Sequence, residues 1–466
     1  MSKQLSRRDF LRLTALSSAG LALASCGPKA TALPEIVLPT ATILPEIVPP
    51  TAMPAGFKGT LEYWDWAHPA MRDHGKALIE SWIAKHPDVM INQTTLEWGD
   101  YQTKAMAAAA AKSGPDFSQV HQIWKFDMLR GGYLEPFPDD FTDWDKKYSS
   151  PFNRDPDTGK IYNFTVDNVT PILFVNPELL AKEGLKKSDI PTKWDDFMPF
   201  AQQLTKKDAS GAFTQSGCGF NDAYVRSMIF YSLIYQQGGW AFGADRASAL
   251  WNSAEGVKAL QFLQDWYFKW EVEDPTGLGG ADAFGNAQAP LFLTYGYYAG
   301  ALDSRYPLIA NKWDAVPIPT FSGTGLPAWG MLQPDDGYVV SSVTTPEKKA
   351  AAFEFIKESS SGLEGERGWM KAMSSPSDYK DLATDEFVQT KPNLAAQAAS
   401  LPYCINIAEN PSEADKFLQE MFDEVILNKG DPKAAADKAV EQMNSAFKAT
   451  SDKKRYILER SYQAPS

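Results

Sequence analysis

The hydrophobic pattern of the chain changes period several times along its length. Gly59–Trp66 (Gly-Thr-Leu-Glu-Tyr-Trp-Asp-Trp) reads as a strand, whereas residues 69–86 open on a proline, place Leu78, Ile79, Trp82 and Ile83 at helical spacing, and stop at Pro87. Residues 89–97 are again strand-like, and residues 101–112, alanine at every position from 107 to 111, are helix-like. Such alternation predicts a mostly parallel sheet covered by helices, an α/β fold. Roughly 400 residues follow Phe57, more than one hydrophobic core usually organises, so two domains are expected.

The N-terminal segment falls outside this pattern. Lys3, Arg7, Arg8 and Arg12 precede an apolar run at 13–24, shorter than the ~20 residues a spanning helix needs, which reads as an export signal. Within it, Ser6-Arg7-Arg8-Asp9-Phe10-Leu11-Arg12 resembles the twin-arginine signature, an ordinary basic signal start being the alternative. Leu23-Ala24-Ser25-Cys26 resembles the bacterial lipobox, which would make residues 1–25 the signal peptide and Cys26 the lipidated first residue. Residues 26–56 follow as a proline-rich linker in which Leu-Pro-Glu-Ile-Val occurs at 33–37 and again at 44–48. At ~3.1 Å per residue an extended linker of this length would reach up to about 90 Å. The remainder has no spanning run and is expected on the outer face of the cell membrane, held by lipid.

Composition excludes more than it selects. A formal net charge of -13 argues against nucleic acid as a partner without identifying a solute. Cys218 and Cys404 could pair in an oxidising compartment, but sequence does not say whether their side chains meet. His68, His74, His86 and His121 show no metal-ligand spacing, and no Walker loop, dinucleotide fingerprint or nucleophile elbow stands out, so neither metal nor cofactor is expected. The adjacent acids at 139 and 140, 195 and 196, and 335 and 336 cannot normally flank one glycosidic bond, which leaves a glycoside hydrolase as the runner-up reading.

Ordered motifs extend over nearly all of the folded region. Gly114-Pro115-Asp116-Phe117 leads into a strand, and Gly132-Tyr133-Leu134-Glu135-Pro136 follows a helix end, where glycine suits the left-handed turn. Gly159-Lys160-Ile161-Tyr162, Asn176-Pro177-Glu178-Leu179-Leu180 and Ile190-Pro191-Thr192-Lys193-Trp194-Asp195 come next, then Gln237-Gly238-Gly239, Trp313 to Pro319, and Pro346-Glu347-Lys348-Lys349-Ala350. In this order they resemble the family 1 extracellular solute-binding proteins, the maltose-binding-protein class. Gly285-Asn286-Ala287-Gln288-Ala289-Pro290 and Gly296-Tyr297-Tyr298 depart from the family pattern.

The resemblance implies a two-lobed, periplasmic-binding-protein type II fold, each lobe a mostly parallel sheet flanked by helices. Lobe I is expected over 57–168 and 296–335, and lobe II over 169–295 and 336–466. Hinge crossings are expected near 166–171, 294–299 and 329–337. It further implies a monomeric ABC-importer subunit that captures a carbohydrate between its lobes and delivers it unchanged to permease subunits. A polyamine, peptide or phosphodiester solute is the alternative.

A sugar presents apolar C–H faces and a rim of hydroxyls, so its site needs aromatic platforms beside carboxylates and amides. Carrying over the family's first binding loop places Asp65 and Trp66 nearest the ligand, with one of Trp64 and Trp66 expected to turn inward. Trp98 and Trp124 occupy the next two strand-to-helix loops. Asp167 and Asn168 fall at the first expected crossing, and Asn221 and Asp222 in a later loop. Tyr295, Tyr297 and Tyr298 fall at the second crossing, and Trp329, Asp335 and Asp336 at the third.

Overall fold

The computed structural model describes residues 57–148, 154–155, 157–220, 223–334, 336–407, 409–457 and 459–461. Cys26 with the signal and linker, and also Asn221, Asp222 and Asp335, lie outside the described residues. Among the described residues no helix is long and apolar enough to cross a membrane.

The first sheet is built on β1 (Gly59–Trp66), whose alternation buries Leu61, Tyr63 and Asp65 on one face and leaves Trp64 and Trp66 half-buried on the other. Helix α1 (Pro69–Ile83) starts on proline, where a missing N–H costs nothing, and His68 Nδ1 accepts the Met71 N–H at 3.5 Å. β2 (Val89–Leu96) and β3 (Phe117–His121) flank β1 in parallel, with Gly59 opposite Val89 and Tyr63 opposite Phe117. Helices α2 (Trp98–Ala110) and α3 (Gln122–Arg130) begin directly after β2 and β3, so both start at the same end of the sheet. The strand Asp336–Ser341 returns antiparallel to β3, with Asp336 opposite His121.

In the second lobe the fully buried strand Pro171–Val175 lies between Leu291–Tyr295 and Asp314–Pro317, and both neighbours are antiparallel to it. Gly330–Pro334 runs parallel to Cys404–Ile407 and antiparallel to Asn168–Val169. The expected parallel arrangement therefore describes β2-β1-β3 but not the second lobe. Tyr295 stands opposite Pro171 and Pro317 opposite Ile172, so both neighbours run back toward the point where the chain enters the lobe. Trp194, Trp251 and Trp266 anchor the core behind these strands, and Trp82, Phe117, Phe355 and Trp369 anchor that of the first lobe.

Strand pairing also redraws the expected lobe boundaries. Residues 336–341 complete the first sheet, and the helices Pro346–Ser360 and Gly362–Met373 bury Ala351, Phe353, Phe355 and Trp369 in the first core, although 336–466 was expected in lobe II. Conversely Asp314–Pro317, expected in lobe I, pairs with Pro171–Val175. The expected crossing near 294–299 is instead a strand end inside the second lobe, where Tyr295 is fully buried. The chain passes between lobes at 166–168 and between the strands that end at Pro334 and begin at Asp336. It passes again along the helix Pro392–Ser400, which buries Leu394 in the first core while Ser400 Oγ meets Thr170 Oγ1 at 3.0 Å. A strand's partner is fixed by register, and register is invisible to residue order alone. Cys218 and Cys404 are free and buried in different clusters.

Phe117 is almost fully buried and stacks on Tyr63 with ring centroids 4.9 Å apart. Phe117→Ala is expected to destabilise the fold by ~3–5 kcal/mol through lost packing and a residual cavity, read as a lower midpoint in urea unfolding.

Candidate functional site

Ligands of open α/β sheets sit beyond the carboxyl ends of the parallel strands, and here those ends carry aromatic rings. Trp66 closes β1, Trp98 opens α2, His121 closes β3 and Trp124 lies in the first turn of α3. Trp66 and Trp98 are 4.9 Å apart at 74°, Trp98 and Trp124 4.5 Å apart, and Trp98 and His121 5.0 Å apart. Trp124, itself buried, stacks on Tyr101 at 4.5 Å and 14°. Rings at these separations fill the space between one another and leave no slot for a guest within the cluster. Trp98, 43 % exposed, presents the outward face.

The cluster is joined to the crossings by hydrogen bonds. The Trp66 indole N–H donates to Asp336 Oδ1 at 3.2 Å, and the Asp336 backbone N–H donates to Asp167 Oδ1 at 3.0 Å. Gln333 Nε2 lies 3.4 Å from His121 Nε2. Asp167, Gln333 and Asp336 are all buried, which places carboxylates and an amide beside the aromatic wall.

Polar groups continue beneath this layer. The Asn168 amide donates to Asp378, and Ser377 Oγ donates to Glu366 Oε2 at 2.8 Å. Burial drives the Glu366 carboxyl well above the usual range; the Asp378 and Asp167 charges add to this and the Ser377 hydrogen bond opposes it. Lys125 is buried with its ammonium 5.0 Å from the Phe126 ring centre, and burial pulls its pKa down to about 8 against the opposing charge of Asp378. Asn168 Oδ1, Gln122 Oε1 and both amide atoms of Asn406 are buried without a hydrogen-bond partner among the described residues. Each such atom costs ~1–3 kcal/mol unless a ligand or water satisfies it.

The remaining sequence candidates are placed differently. Asp65 points to the opposite face from Trp66, into the first core, where Gln93 Nε2 donates to it at 2.6 Å. Burial raises its pKa, with hydrogen bonds from Thr95 and Gln93 opposing. Adjacent strand residues face opposite ways, so Asp65 and Trp66 cannot both line one cleft. Trp64 and Trp66, two apart, share a face; neither turns fully inward, and both pack on the Tyr101 and Trp124 cluster. Tyr295 is a core residue whose hydroxyl donates to the Met331 carbonyl at 3.0 Å. Tyr297 and Tyr298 are half-buried, 5.0 Å apart, and Tyr298 meets Phe292 edge-on. Trp329 gives its indole N–H to the Ile318 carbonyl at 2.8 Å and lies 5.8 Å from Tyr403, which is 44 % exposed.

The structure thus gathers Trp66, Trp98, Trp124, Asp167 and Asp336 at one place, with Asn168 beneath, and puts Trp329 in a separate aromatic pair on the second lobe. His121, Gln333, Lys125 and Tyr403 were missed as candidates. His121 could have been found, since it ends a strand and caps the next helix through Nδ1 to the Ile123 N–H at 3.3 Å. Gln333 and Tyr403 carry no local signal.

The chain matches the family described as bacterial extracellular solute-binding protein over residues 68–361. The arabinooligosaccharide-binding protein of Bacillus subtilis (strain 168) is 26 % identical over 194 residues, 40 % of this chain and 43 % of that protein. The sn-glycerol-3-phosphate-binding periplasmic protein UgpB of Escherichia coli (strain K12) is 24 % identical over 217 residues, 44 % of this chain and 49 % of that protein. The chain spans about half the length of the curated relatives it matches. Among solved structures, an ABC transporter solute-binding protein from Thermotoga lettingae TMO bound with alpha-D-tagatose superposes with a TM-score of 0.67 at 18 % identity, covering 84 % of this chain and 100 % of that one. UgpB from Mycobacterium tuberculosis in complex with glycerophosphocholine gives 0.71 at 15 % identity, covering 85 % and 100 %. These likenesses establish the type II periplasmic-binding-protein fold.

Glu366 generates a pH test. Its folded-state pKa lies above the unfolded value, so the protonated acid favours the fold below the unfolded pKa, and that advantage is lost as pH rises through the folded value. Glu366→Gln cannot ionise; relative to the natural protein it should gain stability in urea unfolding as pH rises above the ordinary carboxylate range, and a pH-independent difference would contradict the assignment.

Proposed function

This chain belongs to the bacterial extracellular solute-binding proteins, and from that premise we propose that it captures a carbohydrate beside the first-lobe aromatic cluster and passes it unchanged to the permease of an ABC importer. The observation that carries the reading is the convergence of Trp66, Trp98, His121 and Trp124 with Asp336 and Asp167 at the strand ends. A pyranose or furanose C–H face lies against the outward face of Trp98, while the buried carboxylates behind the wall hold the rings in place. Trp329 and Tyr403 supply a second aromatic surface on the facing lobe. Asn221 and Asp222 stay in the proposed site on the strength of their place in a later loop, and Asp335 on that of its place at the third expected crossing. The sugars named with several similar structures, alpha-D-tagatose and cycloalternan among them, support the ligand class.

A glycerol phosphodiester is the second reading, motivated by the likeness to UgpB in complex with glycerophosphocholine. A phosphate calls for convergent arginines or helix N-termini; α2 and α3 do begin at the cluster, but the side chains bonded to Trp66 are the acid Asp336 and, through it, the acid Asp167, which repel an anion. A neutral polyol fits that surrounding better. The proposed role includes no bond-breaking step. Cys26 is proposed as the lipid anchor, with twin-arginine export ahead of it.

Calorimetric titration against mono- and oligosaccharides and glycerophosphodiesters, with products assayed in the same samples, tests the reading. Saturable sugar binding without hydrolysis is expected, and Trp98→Ala should weaken it by ~1–3 kcal/mol. Binding confined to phosphodiesters, or sugar turnover, would overturn it. Separately, Cys26→Ala should move the protein from the membrane fraction to the soluble fraction; retention in the membrane would refute the anchor.

A further inference from the structure

The lobes also meet along a seam made by the segment that follows helix Pro432–Ala449. Lys454 Nζ of the second lobe reaches Asp155 Oδ2 at 2.7 Å and Asp157 Oδ2 at 3.1 Å in the first, and Tyr456 stacks on Phe126 of α3 at 5.5 Å. Arg130, at the end of α3, donates to Glu409 Oε1 at 2.6 Å and to the Lys454 carbonyl at 3.5 Å, while the Tyr456 N–H donates to Glu409 Oε2 at 2.6 Å. The Arg130 and Glu409 side chains are 17 % and 3 % exposed, so separating the lobes would strip partners from charges largely withdrawn from water.

Lys454 also lines a cavity of about 470 Å³ with Arg246, Lys448, Lys453 and Arg455, five cations against the two acids Asp157 and Asp245. Asp245 is engaged within its own loop, accepting from the Ala247 N–H and the Ser248 hydroxyl. Asp157 is the one first-lobe residue in the lining, and it sits 3.6 Å from Arg246 as well as against Lys454. Lys448 and Lys453 make no ion pair among the described residues. Asp155 also pairs with Lys454, and Glu413 lies 4.0 Å from Arg455, so the cations that the acids leave over in this second-lobe cavity are Lys448 and Lys453, in a chain that is net acidic.

We propose that this seam is a charge-operated latch: the first-lobe turn carrying Asp155 and Asp157 occupies the second-lobe basic cavity when the lobes are closed, and multivalent oxyanions of the phosphate class compete for the same cavity and release it. As a control on solute capture the latch rests on the function proposed above, because a cleft ligand binds in proportion to the closed population. As a contact between lobes it stands on the seam alone.

Small-angle scattering of the protein without solute tests it. Asp157→Lys should shift the radius of gyration upward, and the charge swap Asp157→Lys with Arg246→Glu should return it to the natural value, which a merely misfolded variant would not do. Sodium pyrophosphate should produce the same upward shift in the natural protein at an ionic strength where sodium chloride does not, and Lys448→Glu with Lys453→Glu should abolish that response. An unchanged radius in Asp157→Lys overturns the latch, and equal responses to the two salts overturn the anion site. Neither measurement requires carbohydrate, so a chain that failed to bind sugar could still pass both, and the reverse holds too.

Discussion

The Asp336 backbone N–H donated to Asp167 ties together two of the passages between lobes, and the remaining geometry is organised around that bond. Asp336 begins the strand that completes the first sheet, and its side chain accepts the indole N–H of Trp66, so one residue fixes both the crossing and the aromatic wall. Both carboxylates are buried, and a buried carboxylate is tolerable only while it is hydrogen-bonded. Displacing either crossing would break this bond between two buried residues. A hinge needs such a fixed point, since closure without one would blur the register of the two binding surfaces.

Around that point the polar and apolar parts of the site divide the work. The tryptophans pack on one another and on Tyr101, so their positions are set by the first core before any solute arrives. The polar layer beneath is denser in acids than in bases, with Glu366 and Asp378 close by and Lys125 as a buried countercharge of reduced basicity. An environment of this kind disfavours additional negative charge nearby. The seam at Arg130, Glu409 and Lys454 has the opposite character, with a surplus of cations outside the site. The proposed recognition site and the proposed latch therefore draw on separate sets of charges, although the two are coupled through the closed population.

Much of this protein was legible in the order of its residues, because local periodicity follows from local geometry. β1, α1, β2 and α2 appear where the alternation and spacing place them, and Trp66, Trp98 and Trp124 were identifiable as loop aromatics because each ends a strand or begins a helix. The parallel β2-β1-β3 arrangement follows from strands separated by helices. The family likewise follows from ordered motifs distributed over the folded region, and residues 68–361 of this chain match the bacterial extracellular solute-binding proteins.

Register and side-chain direction were decided by tertiary structure alone. Asp65 reads like a loop acid beside Trp66, but strand alternation against the first core turns it inward to Gln93. Tyr295 sits in an aromatic stretch that resembles a crossing, yet its strand pairs with Pro171–Val175 and buries the ring. The return of residues 336–341 to the first sheet, and of Gly330–Pro334 beside Cys404–Ile407, involves partners more than seventy positions apart or on opposite sides of a crossing. Such contacts depend on which surfaces remain unburied once each lobe has formed, a property of the assembled cores that no local window of sequence contains.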